Sequence, residues 1–234
     1  MTALALASIA FNRPHLVKEQ IRLLRKYLDE DFTYSVVDNS TSDTKAAEIA
    51  AVCAEAGVPY HRVTFGEHVP ALQWAWDEVV AKSGAPYGGL LDHDIFPVRP
   101  THLVSLIEPA GFLGCGQRHG PTDRLYLWPG WAFFSFEWLN GRRVDWDGIR
   151  GDEKANDGDT GSAMWPLFAA EDWPLLYRVR HSYESIRRPD DYGLQSFGIE
   201  HMGDWVHLTN GSGWMAIPNP REREALTHEM LAAL

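Results

Sequence analysis

The chain is poor in several residue classes, and each shortage excludes something. Only two cysteines, Cys53 and Cys115, occur in 234 residues, too few for a disulfide framework. Both read as reduced thiols, one on a helical pattern and one in a Gly-Cys-Gly step, which fits a cytoplasmic protein. No apolar run approaches the ~18 residues of a membrane span. The opening Met1 to Ala7 has no basic leader and reads as a core strand, not a secretory signal. Any membrane contact is therefore expected to be peripheral. Basic residues are in deficit, with 21 Lys and Arg against 32 Asp and Glu and a net charge of −11. That argues against a nucleic-acid partner, which needs a basic face. It does not exclude an anionic substrate bridged by a cation, because the ion reverses the local field. Internal repeats, low-complexity segments and an obvious linker are also missing.

What is present is an ordinary globular composition, 45% hydrophobic and 23% charged, with ten tryptophans concentrated in the second half. The first hundred residues alternate strand and helix patterns. Leu4 to Ala10 is an apolar strand. Leu16, Val17, Ile21, Leu24 and Leu28 recur at helical spacing. Tyr34 to Val37 is a second strand, and Ser42 or Asp43 caps a helix that stops at Gly57 and Pro59. Tyr60 to Val63, a helix from Pro70 to about Lys82, and a strand Gly89 to Leu91 follow. This order predicts a doubly wound, mostly parallel sheet. Ligands of such sheets bind at the carboxyl ends of the strands. Asn12, Asp38 and Asp92 each follow a strand directly, so all three are expected on that edge.

Residues 90–98, Leu-Leu-Asp-His-Asp-Ile-Phe-Pro-Val, are the most informative stretch. Asp92 and Asp94 stand at i and i+2, a spacing that puts both side chains on one side of an extended chain. Two hard oxygen ligands at a strand end suit Mg²⁺ or Mn²⁺, which keep open positions for phosphate oxygens. The plain alternative is a solvated turn.

Taken with the strand-end residues, the pattern resembles nucleotide-sugar-dependent glycosyltransferases of the GT-A fold, family 2-like. Three elements carry the resemblance: Ala10-Phe11-Asn12-Arg13-Pro14, then Val36-Val37-Asp38-Asn39-Ser40, then the DxD motif Leu91-Asp92-His93-Asp94. It covers residues 4–98 well and the remainder loosely. It implies a GT-A (Rossmann-like) α/β fold with a mixed, aromatic-rich C-terminal half. One domain over 1–234 is expected, with a nucleotide-sugar half at 1–98 and an acceptor half at 99–234. It implies a nucleoside-diphosphate sugar donor, most often UDP-linked, and Mn²⁺ or Mg²⁺. By the same resemblance Asp38 recognises the base, with Phe11, Asn12, Arg13 and Asn39 around base and ribose. Asp92, His93 and Asp94 meet the metal and the ribose diphosphate, and His207 completes the metal shell. Gln73 matches a diphosphate-facing position, although the family often has Arg-Asn where this chain has Gln73-Trp74.

The second half is where an acceptor would bind. An inverting transfer needs a base for the acceptor hydroxyl. In similar enzymes an acidic residue downstream of the DxD supplies it, and Asp159 is preferred here over Asp157, with Glu171 and Asp172 ranked lower. For Asp159 the plain alternative is helix capping. Trp128 and Trp131 form the best aromatic platform for a saccharide face. Residues Asn210 to Gly213 are read as a closing loop, Thr160 to Ala170 as a short helix, and Arg221 to Leu234 as a terminal helix. The reading is a metal-dependent transfer of a sugar to an acceptor hydroxyl on a saccharide or glycoconjugate, as in polysaccharide synthesis. A homo-oligomer is compatible with it. Three rivals remain: a haloacid-dehalogenase-like phosphatase, a nucleotidyltransferase with a related sheet, and a non-catalytic carbohydrate or nucleotide binder on a degenerate transferase fold.

Overall fold

The computed structural model describes residues 2–119, 124–148, 160–169, 181–184, 199–208 and 211, together with positions 225, 228, 231 and 232. Its frame is α/β. Strand β1 (Leu4–Ala10) leads through helix α1 (Pro14–Tyr27) to β2 (Phe32–Asp38). Helix α2 (Asp43–Ala56) leads to β3 (Tyr60–Arg62), and helix α3 (His68–Trp74) runs on as a π turn over Ala75–Val80 into β4 (Tyr87–Asp92). β5 (Ile95–Pro97) follows at once, then β6 (Phe112–His119) and β7 (Arg124–Ser135). Three short strands follow, β8 (His181–Glu184), β9 (Ile199–Met202) and β10 (Trp205–Leu208), and positions 225, 228, 231 and 232 beyond them are helical.

Six strands form the main sheet in the order β3-β2-β1-β4-β7-β6. The first four are parallel, whereas β7 is antiparallel to β4 and to β6. Two strands from beyond residue 98 thus extend the sheet begun by the first half. All seven residues of β1 are buried, because helices cover both of its faces. Leu4, Leu6 and Ala10 join Val17, Ile21 and Leu24 of α1 with Ile49 and Cys53 of α2. Ala7 and Ile9 pack on the other side with Leu72, Ala75 and Trp76. Each fully buried Leu or Ile side chain contributes about 1.5–3 kcal/mol, and the period-two alternation decides which layer receives it.

Local chemistry sets the helix ends. Pro14 opens α1, where its missing N–H costs nothing. Ser42 caps α2 by accepting a hydrogen bond from the Lys45 N–H, and Gly57 ends it at φ 64°. Both cysteines are buried free thiols, and burial, reinforced by Asp38, pushes the Cys53 thiol up to about 11.

A second sheet, β5-β10-β9-β8, is antiparallel where it pairs. Since β4 ends at Asp92 and β5 begins at Ile95, the turn carrying the two carboxylates joins the two sheets. This corrects the expectation of an extended Asp-x-Asp: the chain turns at His93 and Asp94. The helix expected over 160–170 is a 3₁₀ turn, Ser162–Met164, followed by one helical turn, Trp165–Phe168. Pro166, at the start of that turn, provides no backbone N–H.

Candidate active site

The turn between the sheets is pinned from below by a residue the sequence pattern does not single out. Gln20 lies in the buried face of α1 and is wholly inaccessible. Its amide donates to the carbonyls of Asp92, at 2.8 Å, and Ile95, at 2.7 Å. Its oxygen accepts from the Tyr34 hydroxyl at 2.6 Å. One glutamine thus ties together three polar groups at the foot of the site. The helix therefore fixes the backbone on either side of the carboxylate pair.

Above the turn, two imidazoles flank the two carboxylates. His68, the first residue of α3, holds Nε2 3.4 Å from Asp92 Oδ1. His207 of β10 holds Nε2 3.8 Å from Asp94 Oδ1, and its Nδ1 lies 2.9 Å from Glu200 Oε2. Asp94 is 4% exposed, and its carbonyl accepts from the Leu208 N–H. Asp92 Oδ1 is buried and has no hydrogen bond. Backbone crowds the same carboxylates. A Cβ at Gly130 would lie 2.6 Å from Asp92 Oδ2, and one at Gly211 would collide with Asp94.

The charges reinforce one another. Burial works against a carboxylate at Asp92, but His68 first, then His207 and His93, hold its pKa below the usual range. Burial likewise disfavours charge on His68, yet Asp92 and Asp94 outweigh it and raise the imidazole. For His207 burial is outweighed by the Glu200 hydrogen bond and by Asp94.

A cavity of about 350 Å³ opens beside this cluster, lined by Phe11, Asn39, Gly66, His68, Asp92 and His93. His93 is 2% exposed; its Nδ1 meets the Ile9 carbonyl at 2.9 Å, while Nε2 has no hydrogen-bond partner. Asn39 braces the cavity wall, donating to the Glu67 carbonyl and accepting from the Phe65 N–H. Asn12, in the left-handed region at φ 55°, ties β1 to β2: it bonds the Ser40 hydroxyl through its N–H and the Thr41 hydroxyl and Ser42 N–H through its side chain. Arg13 donates to the Asn12 carbonyl at 3.4 Å.

Three expected site residues are engaged within the fold. Asp38 is fully buried, one oxygen accepting from the Ser40 N–H and hydroxyl and the other from Tyr60 at 2.8 Å. Its carboxylate organises the strand end and presents nothing to a base. Gln73 ties α3 to the chain after β7, donating to the Val144 carbonyl and Asp77 and accepting from the Trp146 N–H. Its amide is thus engaged within the fold at both ends. Trp131 is 2% exposed and packs against Phe133 and Trp205 in the core, because its strand position pairs with Leu91 in mid-sheet. Its ring therefore faces the core.

Trp128 differs from Trp131. It is partly exposed, its ring lies 4.8 Å from that of His207, and it covers Gly130 beside Asp92. Asp157, Asp159, Glu171, Asp172 and Asn210 lie outside the described residues. Sequence reading missed Gln20, His68 and Glu200. For His68 there was a signal, a histidine just before the Pro70 helix that faces the strand ends. For Gln20 and Glu200 there was none, since each resembles an ordinary polar residue of its element.

No family model matches this chain, and no curated protein does. Among solved structures, a mannosyltransferase from Pyrobaculum calidifontis in complex with GDP-Man and Mn²⁺ aligns at TM-score 0.44 and 14% identity, over 59% of this chain and 46% of that one. TarS of S. aureus aligns at TM-score 0.42 and 15% identity, over 63% of this chain and 30% of that one. The glucosyl-3-phosphoglycerate synthase of Mycobacterium tuberculosis, solved with Mn²⁺ and UDP, aligns at TM-score 0.41 and 15% identity, over 59% of this chain and 58% of that one. In each case the match spans less than two-thirds of the other protein's length. Likeness of this degree does not assign the chain to their family.

Proposed function

We propose that this chain is a GT-A-type glycosyltransferase that moves a sugar from a nucleoside-diphosphate donor, UDP-linked in the first instance, to a saccharide-type acceptor hydroxyl. The observation that carries the reading is the strand-end cavity with Asp92 in its lining and Asp94 and His207 beside it. A base and ribose fit the Phe11 and Asn39 side of the cavity. The negatively charged diphosphate fits the His68 side, at the amino end of α3.

The residues present suit a divalent cation. Among the described residues, no three His, Cys, Asp or Glu side chains form a metal cage by themselves. Mg²⁺ and Mn²⁺ do not need one, since one or two carboxylates plus substrate phosphates and water hold them. Asp92 has a buried oxygen with no hydrogen bond, and Gly130 and Gly211 leave space against both carboxylates. Asp92, Asp94 and His207 would be the protein ligands. A cation bound there neutralises charge on the departing diphosphate.

The chain's own groups do the rest. Trp128 offers an aromatic face to the acceptor beside the carboxylates. Asp159 serves as the base, with Asp157 the alternative. That choice of base rests on the sequence resemblance, since both aspartates lie outside the described residues. With Asp38 sealed, base contacts come from Phe11 and Asn39.

The test is thermal stability against UDP, GDP, CDP and dTDP, each with and without Mn²⁺, since a ligand selective for the native state raises its melting point. A shift for a nucleotide that requires the metal is expected, and Asp94→Ala should abolish it while the variant still melts cooperatively. No shift with any nucleotide, or a shift indifferent to metal, would overturn the reading in favour of a phosphatase or a degenerate binder.

A further inference from the structure

The antiparallel pairing of β9 with β10 sets Glu200 directly opposite His207. Both side chains are nearly buried, 10% and 13% exposed, and Glu200 Oε2 stands 2.9 Å from His207 Nδ1. On its other edge β10 pairs with β5, where His207 is opposite Ile95, and the Leu208 N–H bonds the Asp94 carbonyl. The imidazole is thus held between two carboxylates, with Nδ1 toward Glu200 and Nε2 toward Asp94, under the Trp128 ring.

We propose that Glu200 is a positioning residue that keeps the proton on His207 Nδ1 and so turns the Nε2 lone pair toward the Asp92–Asp94 turn. The proposal rests on the reading of that turn as the cation and diphosphate site. The physical reason is donor count. An ionised carboxylate only accepts hydrogen bonds, so the nitrogen facing Glu200 must carry hydrogen whether the ring is neutral or charged. A neutral imidazole without such a partner distributes its proton over both nitrogens, and only one of the two forms offers Nε2 as a ligand. Carboxylate partners of metal-binding histidines act in this way, and their loss weakens metal binding by about 10–100-fold. A purely structural role for Glu200, as a cross-strand partner of opposite charge, would affect melting temperature but not the tautomer.

The experiment uses the full chain labelled with ¹⁵N-histidine, with the His207 signals identified by difference from His207→Gln. The imidazole ¹⁵N shifts are read above the ring's titration, and Mn²⁺ binding is followed by electron paramagnetic resonance. Wild type should show Nδ1–H. Glu200→Gln, which keeps the shape, should weaken Mn²⁺ binding by about 10-fold, and Glu200→Leu by up to about 100-fold with a shift toward Nε2–H. Nε2–H in wild type would overturn the proposal, as would Mn²⁺ affinity within twofold of wild type in Glu200→Gln. If wild type binds no Mn²⁺ even with UDP, the cation-site reading fails by itself, and the tautomer in wild type and Glu200→Gln still decides the role of Glu200.

Discussion

The ends of β2 and β4 each carry an aspartate, and the two have opposite fates. Asp38 is inaccessible, and both of its oxygens are engaged by Ser40 and Tyr60. Asp92 is 20% exposed and lines a cavity, and one of its oxygens has no hydrogen bond. In sequence the two look alike, an acidic residue after an apolar strand. The difference lies in the donors around them. A carboxylate that meets a hydroxyl and a backbone N–H at once becomes a structural joint. One that meets glycine backbone and a histidine at ion-pair distance stays available to a ligand. The buried joint depends on hydrogen bonds, which are costly to lose, and the open site depends on electrostatics, which is cheap to alter without unfolding.

The contrast can be broken most strongly at Asp92. Asp92→Asn should weaken Mn²⁺-dependent UDP binding at least about 100-fold, the order expected when a charged, directly contacting group is lost. It should change urea-unfolding stability by no more than about 1 kcal/mol, because the facing His68 is half exposed and Oδ1 has no hydrogen bond to lose. Asp38→Ala should do the reverse. Stranding the Ser40 N–H and the Tyr60 hydroxyl should cost about 3 kcal/mol in a denaturant titration. Preference among nucleotides should not move, whereas a changed preference would return Asp38 to the binding site.

Gln20→Leu sharpens the same distinction from beneath the turn. It leaves two carbonyls and the Tyr34 hydroxyl without their partner, so a loss of about 2–3 kcal/mol is expected. Nucleotide affinity should fall with it, because those carbonyls flank the carboxylates. Unchanged affinity in a destabilised variant would separate the turn from the site.

The smallest effect per step is on pH. Burial, and then the neighbouring His228, Arg13, His93 and Lys45, lower His15 from 6.5 to about 3. Between these values the unfolded chain takes up a proton that the folded chain refuses. Its contribution to stability is therefore complete above pH 6.5 and declines as pH falls toward 3, by up to about 1.4 kcal/mol per unit. Urea unfolding at pH 7 and pH 5 should show this decline, and His15→Gln should flatten it. An equal slope in the variant would assign the acid sensitivity elsewhere.

Much of the fold was legible because two periodicities were strong. The first strand was bounded correctly at Leu4 and Ala10, and the end of α2 at Gly57; for its start Ser42 and Asp43 both stood as caps, and Ser42 is the one that caps. The π turn at Ala75–Val80 was not legible, since it answers to the packing of Trp76 against Phe134, Phe136 and Trp146. Within the site, the Asp92–Asp94 pair and His207 were singled out, and the structure brings Asp94 and His207 to 3.8 Å. Trp131 and Trp128 could not be told apart, because burial depends on how far along the strand the sheet is covered.

By itself the sequence determined the alternation of strand and helix, hence the parallel core and the edge where strand-end residues gather. Apolar periodicity and capping act over a few residues, so they can be read in order along the chain. Which strand-end carboxylate is sealed, which nitrogen of His207 faces the turn, and what holds that turn in place were decided only in three dimensions. Those outcomes depend on donors supplied from afar: Tyr60 lies 22 residues from Asp38, and Gln20 lies 72 residues from Asp92. A hydrogen bond is made or missed within a few tenths of an ångström, a tolerance that spacing along the chain does not encode.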